Sequence, residues 1–148
     1  PLDEKKVIFL SSLKKIDALE EMVKALRERG LLSRSEGVFE DLKKREELGS
    51  TGIGRSIALP HSQGEGIEKP LIALGVSRKG VDYDSGDGLP VHLLFLVLSP
   101  MKPAGRHLEL LAAAARLAKT LSGRLAPYLE SGDPERFFEV LRQEASRF

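Results

Sequence analysis

"VHLLFLVL", residues 91–98, is apolar at every position except His92. Alternating apolar and polar residues mark a strand with one wet face, whereas an unbroken apolar run marks a strand covered on both faces. The stretch therefore predicts a central strand that needs a layer on each side. Outward from it, Leu71 to Ser77 and Ser56 to Leu59 are shorter apolar runs bounded by Gly and Pro, and both predict buried strands. The intervening "KGVDYDSGDGLP" is dense in turn formers, which predicts a hairpin or an irregular connection.

The covering layers are also written in the sequence. Leu13, Ile16, Leu19, Val23 and Leu26 recur at helical spacing with Lys14, Lys15, Glu20 and Lys24 between them, and Gly30 ends the pattern. A second helix is expected from Ser35 to Leu48, beginning near Ser33 or Ser35, stopping at Gly49 and exposing "DLKKREE". After the strand at 91–98, "SPMKPAGR" predicts a loop and His107 to Leu121 an apolar, Ala-rich helix. Asp133 as N-cap and Pro134 in the first turn open a last helix carrying Phe137, Phe138 and Leu141. Helices precede, separate and follow the strands, with no internal repeat or low-complexity segment. The expectation is one α/β domain over residues 1–148, a small mixed β-sheet sandwiched by α-helices.

Composition narrows the function. Lys and Arg number 23 against 22 Asp and Glu, leaving no large positive excess to neutralise a phosphate backbone, so nucleic acid is not the expected partner. There is no cysteine, which removes disulfides and thiolate metal sites and fits the cytoplasm. No apolar run approaches a bilayer span and no signal-peptide pattern opens the chain, so no membrane insertion is expected. Pro1 is not an initiating residue, and the sequence is expected to start inside a longer one.

Chemistry concentrates in "GSTGIGRSIALPHSQGEG", residues 49–66. Gly52 and Gly54 form G-x-G, but Ile57 stands where a dinucleotide fingerprint needs its third glycine, and a short strand follows instead of a helix. No Gly-Lys-Ser/Thr is present. The glycines read instead as positive-φ positions of a tight turn that places the strand ending at His61. A neutral imidazole offers a lone pair near pH 7, so His61 is a candidate base, ligand or nucleophile, and a surface histidine otherwise. His107 opens the Ala-rich helix, where backbone N–H groups and the helix dipole favour an anion, and it is an ordinary first-turn residue otherwise. His92, inside the central strand, reads as structural. Zinc held by His61, His92 and His107 has the right ligand type, but the separations match no compact metal motif. A Ser-His-Asp hydrolase lacks its G-x-S-x-G elbow.

Three blocks, "REELGSTGIGRSIALPHS" (45–62), "GVDYDSGDGLPVHLLFLVLSP" (80–100) and "HLELLAAAARL" (107–117), resemble the type-2 EIIA domain of the bacterial phosphotransferase system, the fructose/mannitol and nitrogen-regulatory family. The resemblance implies that His61, after the proline of an "A-hydrophobic-P-H" strand, accepts a phosphoryl group. It makes His107 the second active-site histidine and Arg45 a phosphate-stabilising residue, where the residues alone place Arg45 on a solvated helix face. It implies phospho-HPr, or the nitrogen-type HPr paralogue, as donor. The acceptor is an EIIB domain in sugar uptake or, alternatively, a regulatory target protein whose binding depends on the phosphorylation state of His61. The donor is a protein phosphohistidine, so no nucleotide, metal or other cofactor is implied. "SQGEG" after His61 and the extra charge of Arg55 depart from many relatives and bear on which partner docks.

Overall fold

The computed structural model describes residues 4–64, 66–130 and 133–145. After a short 3-10 turn at Glu4–Lys6, the elements in chain order are β1 (Val7–Leu10), α1 (Lys15–Glu28), α2 (Glu36–Glu47), β2 (Gly52–Gly54), β3 (Ile57–Ala58) and β4 (His61–Gln63). They continue with β5 (Leu71–Val81), β6 (Val91–Ser99), α3 (Ala104–Glu130) and α4 (Pro134–Ala145). The strands form one mixed sheet in the order β1-β5-β6-β3-β2, with β4 also paired to β6. β6 runs antiparallel to β5 and parallel to β3 and β4, and β1 runs parallel to β5.

β6 is apolar because both of its faces are covered. Leu94, Leu96 and Leu98 join one core with Leu19, Met22, Val23 and Leu26 of α1 and Leu42 of α2. Leu93 and Phe95, on the alternate positions, join a second core with Leu121 and Leu125 of α3 and Phe137, Phe138 and Leu141 of α4. Each fully buried leucine contributes roughly 1.5–3 kcal/mol, so this strand anchors both layers. α1 ends as its sequence predicts: Gly30 takes φ +78°, and Leu31 N–H donates to Leu26 O at 2.9 Å and Gly30 N–H to Arg27 O at 3.0 Å. Those two bonds are a Schellman cap, which needs the left-handed backbone that glycine supplies.

Four features depart from the sequence reading. β1 is an added edge strand too short to show a periodicity, and Arg29 Nη1 caps its neighbourhood by donating to Lys5 O (3.0 Å) and Val7 O (2.7 Å). β5 continues past Ser77 to Val81, with a register irregularity after Val76. α3 begins at Ala104 rather than His107 and runs on through Gly123 and Pro127, because Leu125 after the first and Tyr128 after the second stay packed on the second core. Finally, His61 opens a strand of its own instead of ending the preceding one. Pro60 has no N–H to continue β3, but its carbonyl accepts Val97 N–H at 2.9 Å, so the chain resumes beside β6 as β4.

Candidate functional site

The site forms at the C-terminal end of β6. β4 lies against it in parallel register, with His61 opposite Val97 and Gln63 opposite Ser99. The Gln63 amide donates to Pro100 O (3.4 Å) and Met101 O (3.3 Å), tying the segment before α3 to β4. That segment delivers His107 in the first turn of α3. The His61 and His107 rings are thereby brought to 5.8 Å between centroids, tilted by 48°. Both residues are half-buried.

Each ring is held through Nδ1. His61 Nδ1 lies 2.9 Å from the Leu59 carbonyl oxygen, which can only accept, so Nδ1 carries the proton and Nε2 keeps its lone pair. His107 Nδ1 meets the hydroxyl of Ser99, the last residue of β6. Burial holds the His107 pKa below the usual histidine value, and the neighbouring His61 lowers it further. The position near a helix N-terminus also disfavours a positive imidazolium.

Arg45 sits in the last turn of α2 and is half-buried. Its Nη1 donates to Gly49 O at 3.0 Å, and among the described residues it makes no hydrogen bond to either imidazole. The turn it braces is anchored from inside. Thr51 donates its N–H (2.9 Å) and its hydroxyl (2.5 Å) to the buried Glu46 carboxyl, which Lys15 approaches at 3.7 Å. The Thr51 oxygen is then left to accept from the buried Tyr83 hydroxyl at 3.0 Å. Burial first, and the Glu46 charge second, push the Tyr83 phenol above its ordinary range, so it stays a donor.

The two turn glycines have different tasks. Gly54 takes φ +85°, as expected, whereas Gly52 is needed for space, since a Cβ there would collide with the Ser85 hydroxyl. The β2–β3 turn is made by Arg55 and Ser56, at φ 55° and 66°. Left-handed backbone is uncommon outside glycine, and here Asp87 Oδ2 accepts the Arg55 N–H at 2.8 Å.

His92 does not join the pair. It stands at the N-terminal end of β6, where its Nδ1 donates to Ser77 O at 2.8 Å. Among the described residues no group of three or more His, Cys, Asp or Glu is placed to hold a metal ion, and no helix is long and apolar enough to cross a membrane. Sequence reasoning missed the Leu59 carbonyl, Ser99 and the Glu46–Thr51–Tyr83 chain. Only Ser99 left a trace in the sequence, as the first polar residue after an apolar run.

Comparison with known proteins bears on this arrangement. Residues 1–143 match the family described as "Phosphoenolpyruvate-dependent sugar phosphotransferase system, EIIA 2". The chain is 38% identical over 108 residues to the PTS system fructose-specific EIIABC component of Bacillus subtilis, covering 73% of this chain and 17% of that protein. It is 45% identical over 80 residues to a nitrogen regulatory protein of Pseudomonas aeruginosa, covering 54% of this chain and 52% of the relative. The match thus spans only part of either relative's length. The crystal structure of Nitrogen Regulatory Protein IIA-Ntr from Neisseria meningitidis is similar with a TM-score of 0.68 and 36% identity, over 82% of this chain and 83% of that one.

Proposed function

Because the chain belongs to the EIIA 2 family of the phosphoenolpyruvate-dependent sugar phosphotransferase system, we propose that it is a phosphocarrier whose acceptor atom is Nε2 of His61. The donor is an HPr-type protein carrying phosphohistidine, and the recipient is an EIIB partner in sugar uptake. The observation that carries this reading is the hydrogen bond from His61 Nδ1 to the Leu59 carbonyl, which leaves Nε2 unprotonated and beside a second imidazole.

The chemistry follows from that tautomer. The Nε2 lone pair forms a bond to phosphorus while the bond from phosphorus to the donor's imidazole breaks, its electron pair staying on the donor nitrogen. The Nδ1 proton remains on His61, and the Leu59 carbonyl shares the positive charge the ring acquires. A phosphoryl group on such a ring stays easy to pass on. Charge on its oxygens is met by His107, by the N-terminal N–H groups of α3 and by the guanidinium donors of Arg45 not used on Gly49. Leu48, Met101 and Leu108 are exposed on or beside the segments that carry these groups, and they offer apolar contacts to a protein partner. The relay needs no nucleotide or metal and works in the cytoplasm.

A second reading has specific support in the nitrogen regulatory relatives. In it the same phosphorylation on His61 decides which target protein is bound, and no sugar moves. Intact-mass measurement after incubation with phosphoenolpyruvate, the general EI enzyme and HPr tests what both readings share. One phosphoryl addition is expected on the wild type and none on His61→Ala, and an unmodified wild type with both sugar-type and nitrogen-type carriers would contradict both. Adding a fructose-type EIIB then separates them: loss of the label to EIIB supports transport, and its retention supports regulation.

A further inference from the structure

The two imidazoles are anchored by groups of opposite character. His61 Nδ1 faces a backbone carbonyl, which only accepts. His107 Nδ1 faces the Ser99 hydroxyl at 2.5 Å, and a hydroxyl can donate. Ser99 is fully buried at the end of β6, and among the described residues its Oγ has no other hydrogen-bond partner. Two assignments are open to this contact. If His107 donated, the Ser99 proton would be left in a dry position with no acceptor, and a bare Nε2 would present its lone pair to phosphoryl oxygens. If Ser99 donates, both atoms are satisfied and the outer nitrogen of His107 carries a proton to offer.

We infer that Ser99 is a positioning residue: its hydroxyl donates to Nδ1 of His107 and so holds that ring as the Nε2–H tautomer, a hydrogen-bond donor to the phosphoryl group on His61. The purpose assigned to this contact rests on the phosphocarrier reading, while the tautomer itself does not. The pair is then complementary, one neutral ring presenting a lone pair and its neighbour presenting a proton. Burial and the proximity of His61 act in the same sense, by disfavouring a doubly protonated His107. The inference also accounts for a polar residue at the dry end of a strand whose other fully buried positions are apolar. Position 99 is where β6 passes beneath the first turn of α3, and a shorter apolar side chain there would leave the ring's inner nitrogen without a partner.

The test reads the tautomer directly, on unphosphorylated protein and with no carrier present. Long-range proton–nitrogen correlation spectra of ¹⁵N-histidine-labelled wild type should show His107 with a protonated Nε2 and a bare Nδ1, and His61 with the reverse. Ser99→Ala should move His107 toward a mixture of the two neutral forms, and Ser99→Thr should restore the wild-type pattern. In transfer assays Ser99→Ala should lower the rate about tenfold with little change in KM for the carrier, and add nothing to His107→Ala. A wild-type His107 in the Nδ1–H form would overturn the inference without any variant having to fold. So would a Ser99→Ala spectrum identical to wild type. A protein that shows the expected tautomers but takes no phosphoryl group would instead sink the phosphocarrier reading.

Discussion

The two ends of β6 each hold a half-buried histidine fixed through Nδ1 to a backbone carbonyl, yet the groups around them differ. At the N-terminal end, His92 donates to Ser77 O, and among the described residues no second ring faces it. At the C-terminal end, His61 donates to Leu59 O and has a second imidazole 5.8 Å away, at the opening of a helix. In the proposed function only His61 reacts, so a fixed tautomer by itself does not make a histidine an acceptor. In that proposal, what separates the two is the second imidazole and the helix N-terminus that converge beside His61 to meet developing charge.

The sharpest way to break this contrast is to remove each histidine in turn. His61→Ala is expected to abolish phosphorylation, whereas His92→Ala should keep it and lose about 1 kcal/mol of stability through its hydrogen bond. Phosphorylation lost equally in both, measured by intact mass on folded protein, would erase the distinction. Next in size, His107→Ala should still accept a phosphoryl group but transfer it roughly 10²-fold more slowly, the effect of removing one preorganised donor. A rate equal to wild type would return His107 to an ordinary first-turn residue. Arg45→Ala should act in the same direction and more weakly, about tenfold, and unchanged kinetics would confine it to bracing Gly49.

Away from the ring pair, Thr51→Val should destabilise the fold by about 1–3 kcal/mol, because Glu46 and Tyr83 both lose a partner while remaining buried. Tyr83→Phe should cost less, and denaturant midpoints that rank the two the other way would contradict the donor order in that chain. The smallest effect is on pH dependence. His107 is held below its unfolded value of about 6.5, so in that window the unfolded chain binds more protons and stability rises with pH. Its contribution is present above the unfolded pKa and declines as pH falls toward the folded one. His107→Gln should flatten this slope just below pH 6.5, and an unchanged slope would place its cause elsewhere.

The large elements were legible because burial wrote them into the sequence. Two covered faces made β6 apolar at alternate and intervening positions alike, and the apolar stripe and Gly30 bounded α1. β1 and β4 were not, since four and three residues cannot display a period, and β4 exists because the edge of β6 pairs with whatever follows Pro60. The length of α3 was hidden by Gly123 and Pro127, whose local preferences are outweighed by the packing of Leu125 and Tyr128. At the site, His61 and His107 were nameable from the family resemblance, and the fold brings them together. Their anchors were not readable, because a backbone carbonyl has no letter and Ser99 touches His107 only through the bend between β6 and α3. Arg45 was nameable too, but its contact in the free protein is Gly49 O, and its place on phosphate belongs to the proposal.

The central claim is that Nε2 of His61 is the acceptor atom. Phosphorus–nitrogen coupling in NMR spectra of the ¹⁵N-histidine-labelled phosphoprotein tests it most directly. The account predicts a phosphoryl group bonded to Nε2 of His61, with Nδ1 still protonated toward Leu59. Phosphorus on Nδ1, or on His107 or His92, would contradict it.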